Sequence, residues 1–369
     1  MQKVKAFVKS NAVTLIAALA AVITSFIVTP DKEYLNYFDF KTLSCLFCVL
    51  AVVCALRNIR FFYTLAKAIV RKFKNARTAI LILVYITFIS SMLIANDMAL
   101  LTFLPLGYFI LHTTGKEKYM AFTFIMQNIA ANLGGMLTPF GNPQNLFLYT
   151  KFNISDGEFM KIMLLPFLIS ILLITVCCLV FVKKEPLVIE EKAASLPRAR
   201  TFAYLLLFAL SILIVFRWIP YQIGLVVVPL ALLFLDRRAL LDVDYGLLLT
   251  FVFFFIFSGN MARIDAVRDF FSLMLEENTL VVSALSCQFI SNVPSAVLLS
   301  QFTENYKHLL LGVNIGGVGT LISSLASLIT FKEYSNKAPG HTVRYILKFS
   351  AFNFAFLAIL IFFCSLINI

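Results

Sequence analysis

The sequence predicts an all-α polytopic membrane protein made of two inverted repeats and one connecting helix, each repeat carrying a re-entrant hairpin and a broken transmembrane helix. Three observations lead there. Apolar runs long enough to cross about 30 Å of hydrocarbon, roughly 20 residues each, recur from end to end; the chain is 61% hydrophobic with a mean hydropathy of +0.92. A motif is duplicated: Asn132-Leu133-Gly134-Gly135 runs on to Thr138, and Asn314-Ile315-Gly316-Gly317 runs on to Thr320 in the same gapless register. That register continues with Asn142 and Asn145 over Ser324 and Ser327, and Leu146 over Leu328. Finally, each copy follows an apolar segment interrupted at a polar pair, Ala95-Asn96-Asp97 in one half and Ser291-Asn292-Val293-Pro294 in the other. Lipid cannot hydrogen-bond free backbone groups, so unwound chain at membrane depth survives only where it lines a buried cavity. Two such breaks in corresponding places of two halves mark the substrate site of a secondary transporter.

The first repeat is expected over residues 1–182. Lys3, Lys5 and Lys9 precede an apolar run that is span-length rather than signal-peptide length, so it reads as the first span, with its basic start in the cytoplasm. A mixed-charge loop follows, then a second span over about 40–56. The block from Arg57 to Arg77 is the densest positive stretch and is assigned to the cytoplasm. Within it Ile59, Phe61, Phe62, Leu65, Ile69 and Val70 form an apolar face at helical spacing, an amphipathic helix in the interface. The run 79–111 is too long for one span and both ends are basic, which predicts a cytoplasmic hairpin with its tip at Ala95–Met98. A broken helix is expected over 119–150, interrupted at Gly134-Gly135 and at Pro139–Pro143, where freed carbonyls and amides could coordinate an ion. Span 159–182 returns the chain to the cytoplasm.

Residues 183–219 hold a charged linker, read as the hinge between halves, and the connecting helix from Thr201 to Phe216. That extra crossing is required because an inverted copy must begin on the opposite side. The second repeat, 220–369, then mirrors the first: spans over 221–235 and 246–262, an amphipathic stretch from Met261 to Glu277, an extracellular hairpin over 279–305 with its tip at Ser291–Ser295, a broken helix over 309–331, and a last span over 343–367.

Composition excludes other classes. The net charge of +12 sits in short loops between apolar runs, which reads as membrane orientation and not as a nucleic-acid surface. All seven cysteines lie in apolar segments; Cys45 and Cys48 have no neighbouring His or second pair, so they read as small buried hydrophobes. His112, His308 and His341 are scattered, with no nucleophile–base arrangement, and no enzyme is expected.

At the duplicated motif and the interrupted hairpins the chain resembles the ion transporter superfamily, which includes divalent anion–sodium symporters, citrate transporters and arsenite-efflux permeases. The resemblance covers essentially the whole length. It implies a homodimer in the cell membrane, with a fixed scaffold and a transport domain of hairpins and broken helices moving elevator-fashion, and a small anion, a di- or tricarboxylate, as solute. In the sodium-coupled carboxylate branch each tip carries Ser-Asn-Thr; here the first tip has Ala95 before Asn96 and an acid, Asp97, after it, while the second keeps Ser291-Asn292 but continues Val293-Pro294. Asn96-Asp97 is closer to the arsenite permeases, and Gly141-Asn142-Pro143-Gln144-Asn145 is similar to the citrate-type permeases. The alternatives within the same fold are arsenite or antimonite efflux and Na+/H+ antiport.

The expected substrate and ion site comprises Asn96, Asp97, Asn132, Gly134, Gly135, Thr138, Gly141, Asn142 and Asn145 in the first repeat. In the second it comprises Ser291, Asn292, Ser295, Asn314, Gly316, Gly317, Thr320, Ser324 and Ser327. Sodium is expected at Asn96, Asp97 and Asn142, and again at Asn292, Asn314 and Thr320; no other cofactor is expected. Half-helix N-termini favour anions, while carbonyls and Asn or Thr oxygens suit sodium. Asp97, an intramembrane acid, either binds the coupling cation or caps the second hairpin arm.

Overall fold

The computed structural model describes residues 12–187 and 196–366. Among them are 17 α-helices, and the only extended pairing is an isolated antiparallel bridge between Asn75 and Pro186. Seven helices are long and apolar enough to cross a membrane. The chain is a multi-pass, all-helical membrane protein.

Helices α1 (Ala12–Ile27) and α2 (Phe40–Asn58) open the chain, α2 being started by the Asp39 carboxylate, which accepts from Thr42 N–H. The amphipathic α3 (Phe61–Val70) follows. Next come the hairpin arms α4 (Ala76–Ile94) and α5 (Asn96–Thr113), separated by the single residue Ala95. Helix α6 (Met120–Gly134) runs through a 3-10 turn, Gly135–Leu137, and an irregular stretch into α7 (Pro143–Lys151). Pro143 can begin that helix because the first-turn N–H it lacks would have no intrahelical partner. Helices α8 (Asp156–Phe181) and α9 (Arg198–Val215) flank the linker.

The second half contains α10 (Tyr221–Leu235), the short α11 (Arg237–Leu241), α12 (Tyr245–Ala262) and α13 (Asp265–Ile290). It ends with α14 (Asn292–Leu299), α15 (Tyr306–Ile315), α16 (Leu325–Lys337) and α17 (Thr342–Ser365). Within α13 the backbone leaves helical geometry at Asn278, whose side chain accepts from Val281 N–H, so the amphipathic stretch and the first hairpin arm meet at a kink without a loop. The second broken helix extends to Lys337, beyond the expected 331, because the polar, amphipathic Lys332–Lys337 turn carries no breaker until Pro339-Gly340.

Two positions carry the same strained backbone. Ala95 has φ 64 and ψ 148, and Ser291 has φ 73 and ψ 159. A non-glycine residue at positive φ is uncommon, and here one stands immediately before each hairpin asparagine. The glycine pairs serve close packing. A Cβ on Gly134 would overlap the Phe88 carbonyl oxygen and lie 2.6 Å from Ser91 Oγ; one on Gly316 would lie 2.9 Å from Ala284 Cα. Phe88 and Ala284 each stand eight residues before their tip asparagine. Each broken helix therefore beds into the first arm of its own hairpin at an equivalent depth.

Helices α1 and α12 form a parallel pair. Thr14 Oγ1 lies 3.1 Å from Gly246 O and 2.8 Å from Thr250 Oγ1, and toward the other end Asn260 Nδ2 donates to Thr24 and Ser25. Beyond the helix ends Arg263 pairs with Asp31 at 2.7 Å.

The linker departs from expectation where it can be followed. Ala76 N–H donates to Glu185 O, Leu187 N–H to Lys74 O, and the Glu185 carboxylate accepts from Lys116, Lys118 and Tyr119. Those donors hold the Glu185 carboxyl down to about 2. Residues 183–187 are thus fastened to the first half, and a hinge could only lie further on, at 188–195, outside the described residues.

The bedding of the glycines gives the first test. Gly134→Ala should destabilise the purified protein by about 1–3 kcal/mol, the usual cost of overpacking, read as a lower melting temperature in detergent. Gly157→Ala, whose Cβ would meet nothing within 4 Å, should leave melting unchanged.

Candidate functional site

The two tips share one local chemistry. Asn96 Oδ1 accepts from Asp97 N–H at 2.9 Å, and Asn292 Oδ1 accepts from Val293 N–H at 2.9 Å. Thr138 Oγ1 donates to Met92 O at 2.6 Å and Thr320 Oγ1 to Gln288 O at 3.0 Å, each acceptor four residues before its tip asparagine. Asn132 Nδ2 and Asn314 Nδ2 both donate one turn back, to Asn128 O and Leu310 O.

Side-chain amides also tie the halves together at the centre. Asn96 Nδ2 donates to Asn132 Oδ1 at 3.2 Å, Asn314 Nδ2 to Asn145 Oδ1 at 2.6 Å, and Asn142 Nδ2 to Asn314 Oδ1 at 3.4 Å. A Cβ on Gly317 would sit 3.2 Å from Asn292 Nδ2 and 3.5 Å from Asn132 Oδ1. Both tips and both breaks therefore meet at one point, with Asn96, Asn132, Asn142, Asn145, Asn292 and Asn314 buried.

Beside this network lies a cavity of about 420 Å³. One wall is α1 and α12, through Val13, Thr14, Gly246 and Thr250 among others, with Asp244 at its edge. The opposite wall brings the starts of four helices together: Asn96-Asp97 of α5, Pro143-Gln144 of α7, Asn292-Val293 of α14 and Leu325 of α16. Helix N-termini carry partial positive charge, which favours anions. None of the described lining residues is basic, and two are carboxylates, Asp97 and Asp244.

The capping role considered for Asp97 does not hold. Its Oδ1 is buried without a hydrogen-bond partner, and its own N–H is taken by Asn96 Oδ1. The amide of Gln144 is 1% exposed and both of its polar atoms lack partners, as does Asn142 Oδ1. Buried polar atoms are nearly always paired, so this group is an unfilled set of acceptors and one donor.

Of the residues expected from sequence, Asn96, Asp97, Ser291 and Asn292 line the cavity, whereas Asn132, Asn142, Asn145 and Asn314 form the network behind it. Gly134, Gly135, Gly141 and Gly316 admit neighbours too close for a side chain, and Gly317 leaves only a tight space. Thr138 and Thr320 fasten each break to its hairpin. Ser324 and Ser327 bond each other at 2.9 Å at the start of α16, and Ser295 bonds Ser286 at 2.9 Å inside the second hairpin; none of these three lines the cavity. At the residues where a second sodium was expected, the Thr320 hydroxyl is donated to a carbonyl and Asn314 Oδ1 accepts from Asn142. Those expected for the first retain unpartnered oxygens at Asp97 and Asn142.

Four residues were missed: Asn128, Gln144, Gln288 and Asp244. Asn128 Nδ2 donates to Ser327 Oγ across the halves at 3.3 Å. Gln288 Nε2 donates to Gly316 O and Val318 O, and its Oε1 accepts from Thr320 N–H. For Asn128 and Gln288 the available signal was a lone amide inside an apolar segment, costly in a membrane unless it has a task.

With this geometry in place, comparison with known proteins decides the family. Residues 1–307 match the citrate transporter family. The chain belongs to that family. The match covers the first half and the second hairpin and stops before the second break. An uncharacterized transporter of Methanocaldococcus jannaschii is 34% identical over 302 residues, 81% of this chain and 82% of its own length. The inner membrane protein YbiR of Escherichia coli is 27% identical over 322 residues, 85% of this chain and 84% of its own. A putative transporter of Dictyostelium discoideum, arsB, is 22% identical over 167 residues, 45% of this chain and 29% of its own. Family membership places this chain among membrane transporters.

The tips give the second test. Asn96→Ala and Asn292→Ala should each lower transport at least about 100-fold, as when a site loses about 3 kcal/mol of solute binding, with near-normal expression and a stability cost of only about 1 kcal/mol per lost contact. Wild-type transport by both variants would take the tips out of the site.

Proposed function

We propose that the protein is a secondary active transporter that moves a small anion, a di- or tricarboxylate, together with Na+ or H+. The observation that carries this reading is the convergence of four helix N-termini on a cavity that also holds two carboxylates and, among the described residues, no basic side chain. Backbone dipoles alone attract the anion. Asp97 and Asp244 repel it by an amount on the order of 3 kcal/mol per pair of unit charges about 6 Å apart at an effective dielectric of about 20. A cation bound with the anion removes that repulsion, so coupling follows from the charge arrangement.

The cavity reaches from the tips toward the membrane end where α1 and α12 begin. At that same end Asn58, closing α2, bonds Asp236, and the basic block Arg57–Arg77 follows. The positive-inside rule assigns this end to the cytoplasm, so the conformation reads as inward-facing, in a cell membrane, with a cytoplasmic N-terminus. The equivalent tips, breaks and glycine contacts support two repeats of inverted topology. An elevator-like movement of hairpins and broken helices against a dimeric scaffold fits that arrangement.

A second reading is favoured by one observation, the acidic and cation-free lining: export of a neutral oxyacid, arsenous or antimonous acid, or Na+/H+ exchange. A proteoliposome panel of citrate, succinate, sulfate and arsenite, with and without sodium and pH gradients, separates the two. Gradient-driven carboxylate uptake is expected; arsenite or sodium flux with no carboxylate uptake would replace the first reading by the second.

Two further tests follow. Asp97→Asn removes charge from a carboxylate that caps nothing, so it should abolish gradient-driven accumulation while leaving melting near wild type; accumulation at the wild-type level with unchanged cation dependence would end the coupling role. For topology, single cysteines at Lys72, Ser155 and Glu277, all exposed, in a cysteine-free background should label from the cytoplasm, the outside and the outside respectively. Labelling of 72 and 277 from one side would refute the inverted arrangement.

A further inference from the structure

Another cavity, of about 400 Å³, lies between the first hairpin and the amphipathic helix α3, and the transport reading leaves it unused. Three segments build it. Arg57 comes from the last turn of α2, and Arg60 from the residue before α3. Phe62 and Tyr63 come from the first turn of α3, and Leu101 and Thr102 from α5, the second arm of the hairpin. Neither arginine is neutralised by a carboxylate among the described residues. Arg57 Nη1 reaches the thioether sulfur of Met98 at 3.4 Å, a weak acceptor, and Arg60 makes no ion pair. The acids near the end of α2 are engaged elsewhere, Asp236 by Asn58 and Asp242 by Arg238. No Asp or Glu occurs between Arg57 and Arg77. The first turn of α3 also lacks a capping side chain, so its N–H groups are left for an outside acceptor.

Guanidinium forks match the oxygens of a phosphate. Apolar surface adjoins the charges, with Phe62 and Leu101 in the lining and Leu65 half-exposed on the same helix as Phe62. A soluble anion gains nothing from that surface, whereas an acyl chain does. The amphipathic stretch of the other half supplies a contrast. It exposes Phe270, Leu273 and Met274, yet carries Asp265, Asp269, Glu276 and Glu277 against Arg268. Lying along an interface therefore does not demand basic charge, and the charge around α3 is a separate feature suited to an anionic leaflet.

We propose that this cavity binds an anionic phospholipid of the cytoplasmic leaflet, its phosphate held by Arg57 and Arg60 and its acyl chain lying over Leu65 and Leu101. The inference goes beyond the transport reading and takes from it only the side on which α3 lies. Thr102 stands less than two turns from Asn96 on one helix, so the lipid rests against the arm that begins at the first tip.

The test uses the full-length protein in dodecyl maltoside, with melting temperature followed as phosphatidylglycerol, phosphatidylcholine or the soluble glycerol 3-phosphate is added. Wild type should be stabilised saturably by phosphatidylglycerol and by neither of the others at the same concentration. Arg57→Gln and Arg60→Gln should each need about fivefold more lipid for half-effect, the loss of one basic charge at an anionic headgroup, and the double variant about 25-fold more. Arg60 is exposed, so its variant tests the site whatever Arg57→Gln does to folding. Thr102→Asp sets a carboxylate beside the arginines and should weaken the response by about fivefold or more. Arg71→Gln combined with Lys72→Gln, both exposed and off the cavity, should stay within about twofold of wild type. Equal stabilisation by phosphatidylcholine would remove the headgroup preference, and an equal response to glycerol 3-phosphate would make this a site for a soluble phosphate. An equal shift in the Arg71 and Lys72 double variant would reduce it to diffuse surface charge. Any of these, or an unshifted response in Arg60→Gln or Thr102→Asp, overturns the proposal. The leaflet assignment fails separately, if a cysteine at position 72 labels from outside, and the transport reading fails separately, on the uptake panel.

Discussion

Unwound backbone in a membrane must find hydrogen-bond partners within the protein, and the centre of this molecule is organised by that requirement. Each broken helix frees a run of carbonyls that lipid cannot satisfy. In the first half Asn145 Nδ2 reaches Gly135 O, Met136 O and Thr138 O. In the second half Gln288 Nε2 reaches Gly316 O and Val318 O. The task is the same, but one amide comes from the helix after the break and the other from the neighbouring hairpin. Ser327, which occupies the register of Asn145, is too short to reach those carbonyls, and the longer Gln288 does so from the other side. Gly319 adopts φ 134 at this point, where a Cβ would collide with the Gln288 amide.

The remaining architecture follows from keeping those amides in place. The glycines let each break approach its hairpin until Thr138 and Thr320 can donate across to Met92 O and Gln288 O. Once both breaks are bedded, Asn142, Asn145 and Asn314 are close enough to bond one another, and the halves are joined by polar contacts at the centre as well as by apolar packing. Such contacts are worth about 1 kcal/mol each in membranes, so their number and mutual satisfaction matter more than any one of them. The four helix starts that face the cavity are a by-product of breaking four apolar segments at one depth. Electrostatic preference for an anion is thus already present in a chain whose cavity wall shows no described basic side chain.

Most of the helical order was legible in the sequence, because it is set by strong signals. The Arg57–Arg77 block, the polar interruptions at Asn96 and Asn292 and the duplicated Asn-x-Gly-Gly each state a local requirement that membrane burial makes severe. The span-length helix before Tyr221 was legible from its apolar run. What escaped were long-range pairings. Nothing local marks Gln288 as the partner of carbonyls some thirty residues on, or Asn128 as the partner of Ser327 in the other half. Asp244 reads locally as a helix cap, which it is; its place on the cavity emerges only when α12 packs beside α1. At the linker's start the charges are not free: Glu185 is claimed by Lys116, Lys118 and Tyr119, partners that lie far upstream.

The two halves are alike in backbone and unlike in what they leave unsatisfied, and this difference bears on how one site could handle two solutes. At the second tip Asn292 N–H and Ser291 Oγ both donate to Ser323 O, and Gln288 is bonded at both ends of its amide. At the first tip Asp97 Oδ1 and both polar atoms of the Gln144 amide are buried and unpartnered. A duplicated scaffold with equal demands on both sides would offer two equivalent seats and would bind two like charges. Placing the acid and the open amide on one side only leaves the unsatisfied polar atoms at the first tip, while the second tip contributes a helix start and a closed hydrogen-bonded turn. On the proposed reading the anion then bridges the two, held by opposite dipoles and by the cation beside it, and neither solute is well held without the other. The polar side chains of the two halves thus differ where their helix breaks correspond, and on the proposed reading that difference is what couples the two solutes.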